Sequence, residues 1–425
     1  VEGYYIMGLA MQDKGDLEAA IDRYKQAIKI KPDYAEAHNT MGIALNDKGD
    51  LETAIDSYQK AIKIKPDYTE AYNNMGLALM AKDDLDAGLA NFKQALNIRP
   101  DYAEAYYNMG NALNDKGDLE TAIDSYQKAI KIKPDYTEAY NNMGLALIDK
   151  GNLDAAIGNF KQALKIKPDF AEAYNNIGLA AQGKGELEAA IGSFKQALKI
   201  KPDFAEAHNN MGSTLQEKGD LDATIDSYQQ AIKFKFDYAE AYYNMGIALN
   251  GIAFKKPKSG LMEVITSLLD QRTSCRTKDS AKAAISLLKF EPTLKELLEK
   301  HSLSTLRQSL QETTSILAEL PLLLKLMSVC PIADLELESI LVKLRSALLS
   351  SVDEISISPT ILCFQLALAL QCFTNEYIYN QTDKESELLK ELECVIEKTL
   401  LNGQQPSPQT VLCLASYKAL NEYEW

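Results

Sequence analysis

Residues that carry out most enzyme chemistry are scarce in this sequence. Its 425 residues include three histidines, one tryptophan and six cysteines, and every cysteine lies after residue 270. No CxxC pair occurs, so nothing points to a zinc site. The motifs GxGxxG, GxxxxGK[ST], GxSxG and HExxH are absent too. We therefore expect no cofactor, no metal and no catalytic constellation in this chain.

Isolated cysteines on apolar helical patterns are expected to be buried, reduced thiols of a cytoplasmic protein. No run of 18 apolar residues occurs, and the longest candidates, 361–372 and 320–324, are too short to span a membrane. The sequence opens on Val1 with no charged-then-apolar leader, so we expect a fragment without a signal peptide.

Positive charge is in deficit, with a formal net charge of -15. Residues 1–250 hold 27 Lys and Arg against 38 Asp and Glu, so most of the excess acidity lies there. A nucleic-acid binder needs positive charge to meet phosphates, which makes DNA or RNA an unsuitable partner. A basic or neutral polypeptide suits this composition better.

The sequence repeats itself with a period of 34 residues. The repeated prolines are Pro32, Pro66, Pro100, Pro134, Pro168 and Pro202, and Phe236 takes the next slot. Seven repeats therefore fill residues 1–238, and residues 44–79 are identical to residues 112–147. We number positions within each repeat from residues 1, 35, 69, 103, 137, 171, 205 and 239.

Each repeat reads as two helices, which we call helix A and helix B. Asp33 with Glu36 predicts a capping box at the start of helix A. Gly49 predicts its left-handed end, Asp50 caps helix B, and Pro66 stops it. Since one such hairpin cannot bury its apolar faces alone, the repeats must stack into a solenoid.

This pattern resembles the tetratricopeptide repeat family. The matching residues in repeat one are Gly8, Ala20, Tyr24, Ala27 and Pro32. The resemblance implies an all-α fold, a right-handed superhelix (α-solenoid) followed by a non-repetitive helical domain. We predict seven repeats plus a terminal helix in 1–250, a linker at 251–260 and an all-helical domain at 261–425.

Asparagine recurs on the face of helix A that does not pack, and in this family that face lines the concave wall. Position 6 holds Asn74, Asn108, Asn142, Asn176, Asn210 and Asn244. Each costs roughly 0.5 kcal/mol of helix propensity relative to better helix formers. A primary amide can pair with both the NH and CO of an extended peptide. The row is similar to that of the O-linked N-acetylglucosamine transferase superhelix, which implies peptide binding in the groove.

Position 5 alternates between asparagine and tyrosine, which fits side-chain contacts, and we include Asn141, Asn175 and Tyr107 as candidate peptide-binding residues. The competing interpretation is that the asparagines are inherited by repeat duplication, or bond a neighbouring helix terminus. Helix propensity alone predicts that alanine at positions 108, 142 and 176 should not lower stability.

The leading prediction is a protein–protein interaction module, not an enzyme, that binds an extended polypeptide in the concave groove. The alternative is the substrate-recognition and regulatory portion of a larger methyltransferase or glycosyltransferase. The segment "LALALQCFTNEYIYN" resembles helical sequence upstream of the methyltransferase domain in some bacterial tetratricopeptide proteins. A third possibility is an assembly scaffold that uses other surfaces, and the sequence leaves the oligomeric state open.

Overall fold

The computed structural model describes residues 1–258, 260–270, 277–300, 310–352, 358–374 and 381–417. These residues form 24 α-helices and no β-strand, which confirms the all-α prediction for this part of the chain. Cys275, the end of the methyltransferase-like segment at 375–380 and the last residues 418–425 lie outside the described residues.

The first fifteen helices form the repeats. Helix A of successive repeats is α1 (Glu2–Asp13), α3 (Ala35–Asp47), α5 (Thr69–Ala81), α7 (Ala103–Asp115), α9 (Thr137–Asp149), α11 (Ala171–Gly183), α13 (Ala205–Lys218) and α15 (Ala239–Leu249). Helix B is α2 (Leu17–Ile30), α4 (Leu51–Ile64), α6 (Leu85–Ile98), α8 (Leu119–Ile132), α10 (Leu153–Ile166), α12 (Leu187–Ile200) and α14 (Leu221–Phe234). Each helix A packs along the helix B that follows it, as the repeat pattern predicts.

The turn between helix A and helix B has the predicted geometry. Gly49 has a φ of +86°, and Asp83, which replaces glycine in repeat three, has a φ of +66°. The side chain of Asp50 accepts a hydrogen bond from the Thr53 amide at 3.2 Å. A left-handed residue followed by an acidic cap therefore reverses the chain here.

The predicted capping box at the start of helix A is wrong. Helix α3 begins after Tyr34, and no side chain caps it. Because the helix starts one residue later than expected, Glu36 occupies the second helical position, whereas a capping box needs the third. The tyrosine slot has another role, since Lys65 Nζ lies 4.7 Å from the centre of the Tyr68 ring.

Small residues allow the two helices of each hairpin to approach closely. Ala54 and Ala61 of helix B are fully buried. A Cβ atom on Gly42 of helix A would lie 2.5 Å from Cε1 of Tyr58. The glycine of helix A is therefore needed to admit the aromatic ring of Tyr58.

Nine further helices follow the repeats within the described residues. They are α16 (Leu261–Asp270), α17 (Thr277–Leu288), α18 (Pro292–Lys300), α19 (Leu310–Ala318), α20 (Pro321–Val329), α21 (Leu335–Ser350), α22 (Pro359–Thr374), α23 (Asp383–Leu401) and α24 (Pro408–Ala415). They show no 34-residue period, in agreement with a non-repetitive helical part.

The chain forms two compact units, residues 1–202 and 203–425. In the second unit, Tyr228 of repeat seven and Leu249 of α15 belong to the same hydrophobic core as Leu326 and Leu344. The last repeat is thus built into the C-terminal unit, although periodicity ends only near residue 250. The domain boundaries drawn from periodicity stay a prediction.

The segment predicted as a linker is attached to the helices on either side of it. Lys258 Nζ lies 2.9 Å from Asp226 and 3.0 Å from Asp222, and the lysine side chain is only 10% exposed. The Phe254 amide donates a hydrogen bond to Ser286 Oγ at 2.9 Å. These contacts fix residues 254–258 against α14 and α17.

The expectation that the cysteines are buried holds for three of the five that the structure describes. Cys330, Cys372 and Cys413 are buried, but Cys363 and Cys394 are exposed. All five are free thiols. Among the described residues, no helix combines the length and apolar character required to cross a membrane.

Candidate functional site

The predicted asparagine row lies on helix A, and it divides between the two units. Residues 1–202 contain Asn74, Asn108, Asn142 and Asn176, and residues 203–425 contain Asn210 and Asn244. Asn108 and Asn176 are each 8% exposed, and the other four are partly buried. Polar side chains this far from water require hydrogen-bond partners.

Those partners come from the preceding repeat. The Nδ2 group of Asn108 donates to Oδ1 of Asn73 at 2.9 Å, and both side chains are buried. Equivalent bonds join Asn74 to Asn39 at 3.2 Å, Asn176 to Asn141 at 3.0 Å and Asn244 to Asn209 at 3.1 Å. Position 6 of one repeat is therefore linked to position 5 of the repeat before it.

Tyrosine at position 5 changes this link in repeat four. Nδ2 of Asn142 donates to the Tyr107 hydroxyl at 3.0 Å and to Oδ1 of Asn111 at 2.9 Å. The Tyr107 ring lies 4.9 Å from the Tyr136 ring and 6.0 Å from the Tyr126 ring, measured between centroids. The amide row is thus interrupted by an aromatic cluster between repeats four and five.

The amides differ in the hydrogen-bonding capacity that remains. Asn74 and Asn108 each use one N–H, which leaves a second N–H and the carbonyl oxygen. Asn142 uses both N–H groups and accepts from Asn141 at 3.3 Å. Asn176 donates one N–H and accepts from Asn175 at 3.3 Å. Within residues 1–202, Asn74 of repeat three therefore keeps the most amide capacity that solvent can reach, because Asn108 is only 8% exposed.

The two candidate asparagines at position 5 lie between the repeats. Asn141 is 8% exposed and Asn175 is 6% exposed, so little of either side chain can be reached from solvent. The structure places Asn141 against Asn176 and Asn142, and Asn175 against Asn176. A ligand role for them stays a prediction, whereas their part in joining repeats is visible in these bonds.

Helical periodicity puts position 9 on the same face of helix A as the row, but the sequence did not single out its aliphatic residues as ligand contacts. Leu77 and Leu145, at position 9, are 39% and 36% exposed. Large apolar side chains left at the surface often mark contact sites when they cluster beside polar groups. Position 9 contains leucine or isoleucine in six of the eight repeats, a regularity that could have identified it.

The exposed charge on this face is acidic in the middle repeats. Glu104 and Glu138 at position 2 are exposed, as are Asp115 and Asp149 at position 13. Burial is the main cause that raises the pKa of Tyr136, and nearby Tyr107, Glu104 and Glu138 raise it further. Negative charge is therefore concentrated around the aromatic cluster.

Two further features of the described residues concern a metal site and a reactive thiol. No group of three or more metal-ligating side chains occurs among the described residues. The pKa values of the described cysteines Cys330 and Cys372 are raised to about 11 by burial, which leaves their thiols protonated and unreactive near neutral pH.

The chain belongs to the tetratricopeptide repeat family. The family's TPR repeat profile matches seven overlapping stretches, which are residues 8–46, 42–83, 76–114, 110–148, 144–185, 183–219 and 214–250. Together they span more than half of the 425 residues. This membership supports a role as a protein–protein interaction scaffold.

Several solved structures are similar to part of the chain. MamA is 33% identical, with 39% of this chain and 97% of MamA covered and a TM-score of 0.37. YrrB, described as a TPR protein with an unusual peptide-binding site, is 24% identical, with 44% and 96% covered and a TM-score of 0.37. A tetratricopeptide protein from Parabacteroides merdae is 16% identical, with 59% and 98% covered and a TM-score of 0.48. None of the curated proteins matches the chain.

Proposed function

We propose that the helix A face of residues 1–202 binds an extended polypeptide that is basic or neutral. The observation that carries the proposal is the partly used, half-buried amide of Asn74, one helical turn from the exposed side chain of Leu77, with Leu145 exposed two repeats further along. Asparagine amides can pair with peptide NH and CO groups, and leucines can cover the alternate side chains of an extended strand. In the second unit, Asn210 and Asn244 are the corresponding candidates.

Charge favours a basic segment over an acidic one. Exposed carboxylates at positions 2 and 13 border the candidate residues, and an acidic ligand would be repelled by them. The attraction between exposed groups is screened by salt, with a Debye length of about 8 Å at physiological ionic strength. Binding of a basic peptide should therefore weaken as salt is added.

The proposed activity is binding without chemistry in this chain. The sequence lacks the nucleophile, phosphate-binding and zinc motifs of common enzymes, and we place the protein in the cytoplasm on its cysteine usage. The alternative, the recognition part of a larger methyltransferase or glycosyltransferase, would use the same face to hold a substrate.

The test is fluorescence anisotropy with a labelled 16-residue peptide of alternating lysine and serine, against a matched glutamate–serine peptide. The variant is Leu77→Asn with Leu145→Asn, since position 9 already holds Asn111 in repeat four. Losing two apolar contacts should weaken binding of the lysine peptide by about tenfold. Asn97→Ala, at an exposed position of α6, is the control and should leave affinity unchanged.

Two results would contradict the proposal. Equal affinity of the leucine variant and the native protein would place the peptide elsewhere on the molecule. Stronger binding of the glutamate peptide than the lysine peptide would overturn the proposed charge preference. Circular dichroism of each variant checks that the helices are intact.

A further inference from the structure

Repeats four and five bring together a patch that differs from the rest of the asparagine row. We define the Tyr107 patch as Tyr107, Tyr136, Glu104 and Glu138. Tyr107 replaces the asparagine found at position 5 in five of the eight repeats. Its ring lies 4.9 Å from the Tyr136 ring at a tilt of 40°, so two aromatic rings meet where most other repeats have an asparagine at position 5 and an aromatic residue at position 34.

The glutamates of the Tyr107 patch lack the ion pair that the position 2 glutamate makes in three other repeats. At position 2, Glu70 is paired with Arg99 at 2.9 Å, and Glu206 is paired with Lys235 at 3.2 Å. Glu104 and Glu138 have no ion pair with any residue that the structure describes. Lys133, the nearest repeat equivalent of Arg99, lies over the Tyr136 ring at 4.4 Å.

Both carboxylates lie near the Tyr136 side chain. Burial is the main cause that raises the pKa of Tyr136, and Tyr107 and Glu104 from α7 and Glu138 from α9 raise it further. Tyr107 is partly exposed, and the two glutamates are exposed, so the patch is open to a ligand from the helix A side. Lys133 and the two glutamates together carry one excess negative charge.

Aromatic rings beside unpaired carboxylates have the chemistry that recognises a cationic side chain. A Lys or Arg group is attracted by the π face of a tyrosine, and a nearby carboxylate adds direct charge pairing. We propose that the Tyr107 patch takes a lysine or arginine side chain of the bound polypeptide and so sets its register along the face. This inference rests on the proposed function, because it needs a polypeptide on helix A.

The same arrangement occurs once more in the first unit, which supports its dependence on tyrosine at position 5. Tyr5 lies 5.2 Å from Tyr34 and 5.9 Å from Tyr24 between ring centroids, close to the corresponding values around Tyr107. Glu2 and Glu36 neighbour the Tyr34 hydroxyl. A polypeptide with two basic residues could therefore be held at two points, three repeats apart.

The experiment measures the binding of two labelled 16-residue peptides, alternating lysine–serine and alternating glutamine–serine, to the native protein and three variants. Tyr107→Asn restores the residue that five other repeats carry, so the fold should be kept. Glu104→Gln with Glu138→Gln removes the charges, and Glu52→Gln with Glu120→Gln on helix B makes the same change in net charge away from the patch. Anisotropy at low salt gives the affinities.

We expect Tyr107→Asn and the patch glutamate variant each to weaken binding of the lysine peptide by about three- to fivefold. Each should change binding of the glutamine peptide by less than about twofold. The helix B control should leave both affinities within about twofold of native. A lysine preference that survives both patch variants, or falls equally in the helix B control, would overturn the patch. If neither peptide binds native protein, the proposed function itself fails.

Discussion

Asn108→Ala separates two opposed effects of the amide row. Alanine is the better helix former, so propensity alone predicts a gain of about 0.5 kcal/mol. The substitution also removes the 2.9 Å bond to Asn73, whose carbonyl oxygen lies in a side chain that is only 5% exposed. Leaving a buried acceptor unpaired costs about 1–3 kcal/mol. The second effect is larger, and we expect Asn108→Ala to lower the free energy of unfolding by about 0.5–2.5 kcal/mol.

The assay is equilibrium urea unfolding followed by circular dichroism at the helical band. Asn73→Ala and the double variant complete a double-mutant cycle, and the coupling between the two asparagines should be about 1 kcal/mol. Asn97→Ala, an exposed helix B position, is the control and should be neutral or slightly stabilising. Asn108→Ala with native or higher stability and no coupling to Asn73 would refute the role given to these bonds. That result would instead agree with helix propensity alone, which predicts that alanine at position 108 does not lower stability.

The remaining predictions concern the repeat core and its response to pH. Gly110→Ala should destabilise by about 1–3 kcal/mol, because the new Cβ would lie 2.6 Å from Cε1 of Tyr126, whereas Gly158→Ala, with nothing within 4 Å, should stabilise by about 0.5–1 kcal/mol. Thermal unfolding of the pair checks this, and equal shifts would contradict the packing described for position 8. Burial raises the pKa of Tyr228 to about 12, above the ordinary value near 10. Stability from its protonated form is complete below pH 10 and is lost as pH rises through 12. Tyr228→Phe should reduce the loss of stability at alkaline pH. If the variant lost stability between pH 9 and 12 as the native protein does, this prediction would be wrong.

Most of the fold could be predicted from local sequence because each repeat carries its own signals. The left-handed glycine at Gly49 and the cap at Asp50 each act within a few residues, and the 34-residue period repeats these signals along the chain. The structure confirms all three. The capping box failed because the D-x-x-E spacing fits two registers, and the aromatic residue at Tyr34 takes the cap position. A pattern cannot distinguish registers that differ by one residue without the backbone.

Only part of the candidate site could be predicted from the sequence. Helical periodicity places the row at position 6 on the non-packing face, but Asn108 and Asn176 are each only 8% exposed and bond to the preceding repeat. The partners of the row could not be predicted, because Asn108 bonds to Asn73 across 35 residues and two different repeats. The exposure of Leu77 likewise depends on how neighbouring repeats stack. Ligand contact by the row stays a prediction.

The central claim is that the helix A face of residues 1–202 holds an extended basic polypeptide. Hydrogen exchange followed by mass spectrometry, with and without saturating lysine–serine peptide, tests it most directly. We predict slower exchange in α5, α7 and α9, with α4, α6 and α8 unchanged. Protection confined to the helix B segments, or to residues 203–425, would contradict the claim.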